Sequence, residues 1–132
     1  MKLKLTEEMI QMIEGAEGKA LATYVPGCLH VVPVSTVKVM ENTIILVNYF
    51  MGKTLENIQE NPDVSLACWQ GLEGIQVKAQ VAYETKGKTF DETAAWVKEI
   101  LPDRVVKGVL VLSPYEVYDV SATACCPGAK ML

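Results

Sequence analysis

The stretch from Ile44 to Pro62 constrains this chain more than any other. Ile44-Ile45-Leu46-Val47, continuing into Asn48-Tyr49-Phe50, is a β-branched, apolar run with the length and composition of a buried strand. The next residues read as a short helix, because Leu55 and Ile58 share one face and Asn61-Pro62 is a stop signal. Between strand and helix stands Met51-Gly52-Lys53-Thr54. A strand that feeds a helix through Gly, Lys and Thr can seat a phosphate. Glycine lets the backbone approach, the helix N-terminus offers unpaired N–H groups, and Lys and Thr add a charge and a hydroxyl. The G-x-x-x-x-G spacing of a Walker A loop is missing, so this is not a P-loop. By itself, Gly-Lys-Thr is a weak signal that reads more readily as a turn and helix cap with a solvated lysine.

The flanking segments define the rest of the fold. Thr6 is an N-cap with Glu7 and Glu8 behind it, and Met9, Ile10, Met12 and Ile13 supply an apolar face, which predicts a helix over 6–14. Strands are expected over 19–25 and 30–40, joined by the Pro26-Gly27 turn. The second of these is apolar on both faces, through Val31, Val37 and Val39 on one and Val32, Val34 and Met40 on the other. Such a strand is covered on both sides, by the barrel or by a partner subunit, and its Pro33 belongs on an edge or at a bulge. After the central strand (43–50) and the helix (54–60), strands are expected over 63–70 and 75–85, then a helix over 89–100 stopped by Pro102. The last strand is Gly108–Leu112, continued after Pro114 by Tyr115–Val120, and an irregular tail runs over 121–132. Six antiparallel strands with short connections, one inserted helix and two flanking ones describe a small barrel with helices at its rim, mainly β with α, as one domain over 1–132.

Composition narrows the function classes. With 132 residues, half of them hydrophobic, the chain can bury a substantial core. Its net charge of −4 and the lack of any basic stripe argue against nucleic acid as a partner. No apolar run reaches the ~18 residues of a membrane span, and Met1-Lys2-Leu3-Lys4-Leu5 leads into Thr6-Glu7-Glu8 rather than a signal-peptide core. Cys28, Cys68, Cys125 and Cys126 fit no zinc spacing, so a cytoplasmic protein with reduced thiols and no metal is expected.

The order of motifs resembles the pyridoxamine 5′-phosphate oxidase-like, FMN-binding split-barrel superfamily. That family carries a strand ending Thr-Asn-Tyr, a Ser-Arg-Lys phosphate turn, a helix, Asn-Pro, and then a strand with aromatic residues. Here the same order reads Val47-Asn48-Tyr49, Met51-Gly52-Lys53, the helix, Asn61-Pro62, and Val64 to Trp69, followed by Gln76-Val77-Lys78 where the family has Gln-Val and a basic residue. The resemblance spans about residues 18–120 and implies a Greek-key split barrel with one FMN per subunit, bound non-covalently at a homodimer interface. Gly52 stands where the family's turn has Arg, which shifts the phosphate onto Lys53 and Thr54. The chain as given has neither the N-terminal extension nor the Arg-rich end with which the true oxidases bind pyridoxal phosphate. A short flavin oxidoreductase is therefore expected rather than a pyridoxamine oxidase.

On the same resemblance, Val34, Ser35 and Thr36 face the ribityl chain or phosphate. The backbone of Val47, Asn48 and Tyr49 meets the ring edge, Met51, Gly52, Lys53 and Thr54 form the phosphate turn, and Gln76 contacts the flavin. Lys130 of the tail reaches a flavin across the dimer. His30, the sole histidine, reads as a surface residue at a strand start, and Trp69 as a core or interface residue. No protein acid, base or nucleophile stands out. The flavin would carry the redox chemistry, with a small-molecule or protein redox partner. Two other readings stay open: a flavin carrier or electron-transfer protein without a substrate, and a split barrel that binds deazaflavin F420 or haem.

Overall fold

The computed structural model describes residues 3–122 and 128–132. In chain order the elements are α1 (Glu7–Gly15), β1 (Gly18–Val25), β2 (Cys28–Pro33), β3 (Val37–Met40), β4 (Thr43–Asn48), α2 (Lys53–Glu60), β5 (Asp63–Gln70), β6 (Glu73–Glu84), α3 (Lys88–Ile100), β7 (Gly108–Asp119) and β8 (Ala129–Lys130). All strand pairs are antiparallel, in the order β2-β1-β5-β6-β7-β4-β3, with β8 added to β7. This is the expected mainly β split barrel with three helices, built from eight strands rather than six.

The inward faces of β1, β5, β6 and β7 supply Leu21, Leu66, Val77 and Leu112, all fully buried, and β4 adds Ile44 and Leu46. Helix α1 drops Met9 and Ile13 into this core and is started by Thr6, whose Oγ1 accepts from the Met9 N–H at 3.2 Å. Helix α3 packs elsewhere, with Val97, Trp96 and Leu101 against Val47 and Tyr49.

The expected strand over 30–40 is two strands. Its first part pairs with β1 at one end of the sheet and its last part with β4 at the other, so residues 34–36 are a bridge between sheet ends. Nothing local forbids a continuous strand there; the pairing partners decide. Pro33 ends edge strand β2, where a missing N–H costs no ladder bond. The outward residues of β2 are uncovered in the single chain, with Leu29 81% and Val31 64% exposed. The last strand continues past Pro114, as expected. Lys78 pairs with Glu116 and Ala79 with Pro114, so Tyr115 is the extra residue of a bulge and β7 runs on through it. Within the segment expected to be irregular, β8 pairs Ala129 with Asp119 and Lys130 with Tyr118.

One contact ties the sheet to the turn of interest. Gly108 lies against the Tyr83 phenol so closely that a Cβ would collide with the Tyr83 oxygen. The space left by that glycine lets the phenol oxygen accept from Asn48 Nδ2 at 2.9 Å. Asn48 is 2% exposed, so an unmade bond here leaves a buried amide donor unsatisfied. Tyr83→Phe is expected to lower unfolding stability by about 1–3 kcal/mol, measured by urea denaturation, and a variant as stable as the parent would remove this bond from the account.

Candidate functional site

Strand β4 ends at Asn48, and the four residues that follow turn the chain into α2. The Asn48 carboxamide controls that turn, because its Oδ1 accepts the Met51 N–H at 2.7 Å while its Nδ2 is held by Tyr83. Tyr49 is buried, and its hydroxyl lies 2.9 Å from Thr36 Oγ1, which joins the turn to the 34–36 bridge. Ser35 Oγ lies 3.5 Å from the same Thr36 oxygen. Helix α2 is fixed from behind by Asn57, whose Nδ2 donates to Thr23 Oγ1 at 3.0 Å, and by Asn61, whose Nδ2 donates to the Tyr24 carbonyl at 3.0 Å.

The N-terminus of α2 points no side-chain cap at its own amides. Gly52 is the N-cap, and the first helical bond runs from the Glu56 N–H to the Gly52 carbonyl at 3.2 Å. The amides of Lys53, Thr54 and Leu55 therefore have no acceptor within the helix. Thr54 adds a second open group. It is 1% exposed, and its Oγ1 has no hydrogen-bond partner. A buried hydroxyl without a partner is costly unless something else supplies one.

These groups surround one cavity of about 420 Å³, within the ~300–1,000 Å³ of small-molecule sites. Val32, Val34, Val47 and Met51 give it apolar walls, and Ser35, Tyr49, Gly52, Lys53 and Thr54 border it. Its charged and titratable lining is His30, Lys53, Arg104 and Tyr49, with no carboxylate among the described residues. Lys53 is half exposed and paired with Glu56 one helical turn on, at 3.3 Å. The Arg104 guanidinium stands over the Tyr49 ring, 4.9 Å from its centre. An apolar slot with a helix N-terminus, free hydroxyl and cations at its border is suited to a flat ligand that carries an anionic group.

The structure therefore brings together eight of the twelve sequence-derived site residues: Val34, Ser35, Val47, Tyr49, Met51, Gly52, Lys53 and Thr54. Thr36 and Asn48 stand behind them and hold the turn. Gln76 and Lys130 lie elsewhere. They share a cross-strand row on the outer face of the sheet, in which Gln76 pairs with Tyr118 and Tyr118 with Lys130. Gln76 Nε2 donates to Ser65 Oγ at 2.8 Å, and Lys130 pairs with Glu116 at 3.2 Å. Hydrogen bonds from Lys130 and then Tyr118 hold the Glu116 carboxyl below its ordinary range.

Sequence reasoning missed Arg104 and placed His30 on the surface, whereas both border the cavity, His30 half-buried on the inner side of β2. A lone arginine in the connection after a helix carries no local signal. Trp69 is 39% exposed and packs on Gly18, away from the cavity.

Known proteins carry the same architecture. The sequence profile described as pyridoxamine 5′-phosphate oxidase matches residues 5–121. The chain belongs to the pyridoxamine 5′-phosphate oxidase family. It is 28% identical over 124 residues to an uncharacterized protein of Methanocaldococcus jannaschii, covering 91% of this chain and 83% of that one. Among solved structures it is similar to HupZ of Group A Streptococcus, with a TM-score of 0.83, 20% identity, and coverage of 98% of this chain and 100% of that one. It is also similar to an FMN-binding protein of Syntrophomonas wolfei, with a TM-score of 0.74, 18% identity, and coverage of 87% and 85%. At these identities the two structures show a shared fold.

Among the described residues Cys28 and Cys68 are free thiols. Cys125 and Cys126 lie outside the described residues. Cys68 is fully buried in the core, and burial pushes its thiol up to about 12 against a smaller opposing effect of Lys19. Among the described residues there is no group of three His, Cys, Asp or Glu able to hold a metal ion, and no helix is long and apolar enough to cross a membrane. Cys68 should stay unmodified when native protein meets iodoacetamide at mildly alkaline pH and react fully in guanidinium. Peptide mass mapping reads this directly, and native labelling would mean that the core opens there.

Proposed function

We propose that this protein binds FMN non-covalently in the cavity between the 34–36 bridge and the start of α2, and acts as a cytoplasmic flavin-dependent oxidoreductase. The observation that carries the reading is Thr54, a buried hydroxyl without a partner at a helix N-terminus that borders an apolar, carboxylate-free cavity. Phosphate supplies the acceptors that Thr54, the α2 amides and Lys53 lack. The family membership and the similarity to an FMN-binding protein point the same way.

In this reading each group has a defined task. The α2 N-terminus with Thr54 and Lys53 binds the phosphate, and Val32, Val34, Val47 and Met51 exclude water from the ring. Asn48 and Thr36 orient the turn that presents these groups. When bound, FMN supplies the hydride or electron transfer, which no side chain of the site could perform. The protein's part is to bind, to orient and to set the polarity around the ring.

The reading includes a homodimer. The outward face of β2 leaves Leu29 and Val31 open, and beside it runs the row Pro33, Ala20, Ala67, Gln76, Tyr118 and Lys130 across six strands. A face that is small and apolar at its β2 end and polar at its β8 end fits a second copy, and it would carry Gln76 and Lys130 to the partner's site. Sedimentation equilibrium is expected to give a dimer of 14.5 kDa chains, and a monomer at micromolar concentration would remove this part.

The visible spectrum of freshly purified protein, with mass identification of any released chromophore, tests the cofactor. Two flavin bands and released FMN are expected; released F420 or haem, or a colourless protein that ignores added FMN, would overturn it. Thr54→Val separates binding from folding. It should weaken FMN about tenfold or more, the loss of a hydrogen bond to a charged group, while the apoprotein becomes no less stable because an unsatisfied hydroxyl is gone. Lys53→Ala should weaken FMN by a similar factor with the fold intact. Reduction of the bound flavin by a nicotinamide cofactor is expected of an oxidoreductase, and its absence with every donor tried would favour a flavin carrier.

A further inference from the structure

We infer that Arg104 is the second cation of the phosphate site and the residue that makes this cavity select a phosphorylated ligand over its unphosphorylated form. The inference rests on the FMN reading above. The chain carries a net charge of −4, yet its sole arginine and sole histidine both border this cavity, where the described lining has no carboxylate.

Charge balance at the site requires a partner beyond Lys53. A phosphate monoester carries about −1.5 to −2 at neutral pH. Lys53 already shares its charge with Glu56 at 3.3 Å, and a helix N-terminus offers only about half a charge. Arg104 is the other permanently charged group of the lining. None of the three ion pairs among the described residues includes it.

The backbone around Arg104 holds it in place for this task. Its own N–H donates to the Leu101 carbonyl at 3.0 Å, which closes the turn after α3. Three residues on, the Lys107 N–H donates to the Asn48 carbonyl at 3.0 Å, which fastens the loop to the end of β4. The guanidinium rests on the buried Tyr49 ring. No ion pair among the described residues engages its N–H groups, and a guanidinium can give two of them to one phosphate in bidentate fashion. Lysine in the same place would supply the charge without the fork.

Affinity for two ligands that differ only by the phosphate tests the inference. FMN and riboflavin are titrated against wild-type, Arg104→Ala and Arg104→Lys protein by flavin fluorescence, with thermal unfolding of each apoprotein alongside. Arg104→Ala should weaken FMN about tenfold or more while riboflavin stays within about twofold, and Arg104→Lys should fall between. Unchanged FMN affinity in Arg104→Ala would overturn the inference and leave the FMN reading standing. Parallel loss of both flavins would overturn it too, because it would mean that Arg104 serves the ring or the packing of Tyr49. If wild-type protein binds neither flavin, the FMN reading falls, and inorganic phosphate replaces the flavins in a thermal-shift titration. Stabilisation of wild-type but not Arg104→Ala protein would then keep Arg104 as an anion anchor, and equal or absent shifts would end that claim as well.

Discussion

The Asn48 carboxamide is the constraint on which the site depends. From one buried residue it accepts the Met51 N–H, donates to the Tyr83 hydroxyl, and through its backbone carbonyl takes the Lys107 N–H. Those bonds join the end of β4 to β6, to the turn before α2, and to the loop before β7. None of the three is strong alone, at roughly 1 kcal/mol net. Together they set the position of every group that faces the cavity from that side. An asparagine suits this better than an aspartate, since one amide can donate to the phenol and accept from the backbone at once.

Local charge and total charge run in opposite directions in this molecule. Sixteen acidic residues outnumber twelve basic ones, yet the described cavity lining is basic. Away from the cavity, acids are spent on backbone and surface work: Glu14 accepts the Val39 N–H, Glu17 the Gly71 N–H, and Glu116 bonds Tyr118 and pairs with Lys130. The net charge therefore says nothing against an anionic ligand.

Much of the fold could be read from periodicity and punctuation. Thr6 as a cap, the apolar run into Asn48, and the Asn61-Pro62 stop are local signals, and local signals were sufficient for α1, β4, α2 and β5. The break at 34–36 is not local. Val34, Ser35 and Thr36 suit a strand well, and only the distribution of partners between the two ends of the sheet interrupts them. The last strand continues past Pro114 as its sequence suggested, and a bulge at Tyr115 absorbs the proline. The site divides in the same way. The Gly52-Lys53-Thr54 turn is legible because its parts are consecutive, whereas Arg104 arrives from fifty residues away and acquires meaning only from what surrounds it.

The 34–36 bridge also decides when the cavity can exist. Its flanking strands pair at opposite ends of a sheet whose intervening strands, β1, β5, β6, β7 and β4, come from almost the whole chain. The contact of Thr36 with Tyr49 belongs to the local β3–β4 hairpin. Strand β2, however, closes the other side of the cavity only when the long-range registers between the two sheet ends are set, and such contacts are the slow ones in β proteins. The complete cavity thus requires the assembled sheet. A ligand of this cavity has affinity for the finished state alone, so its binding energy acts entirely against unfolding and lends no help to the earlier stages.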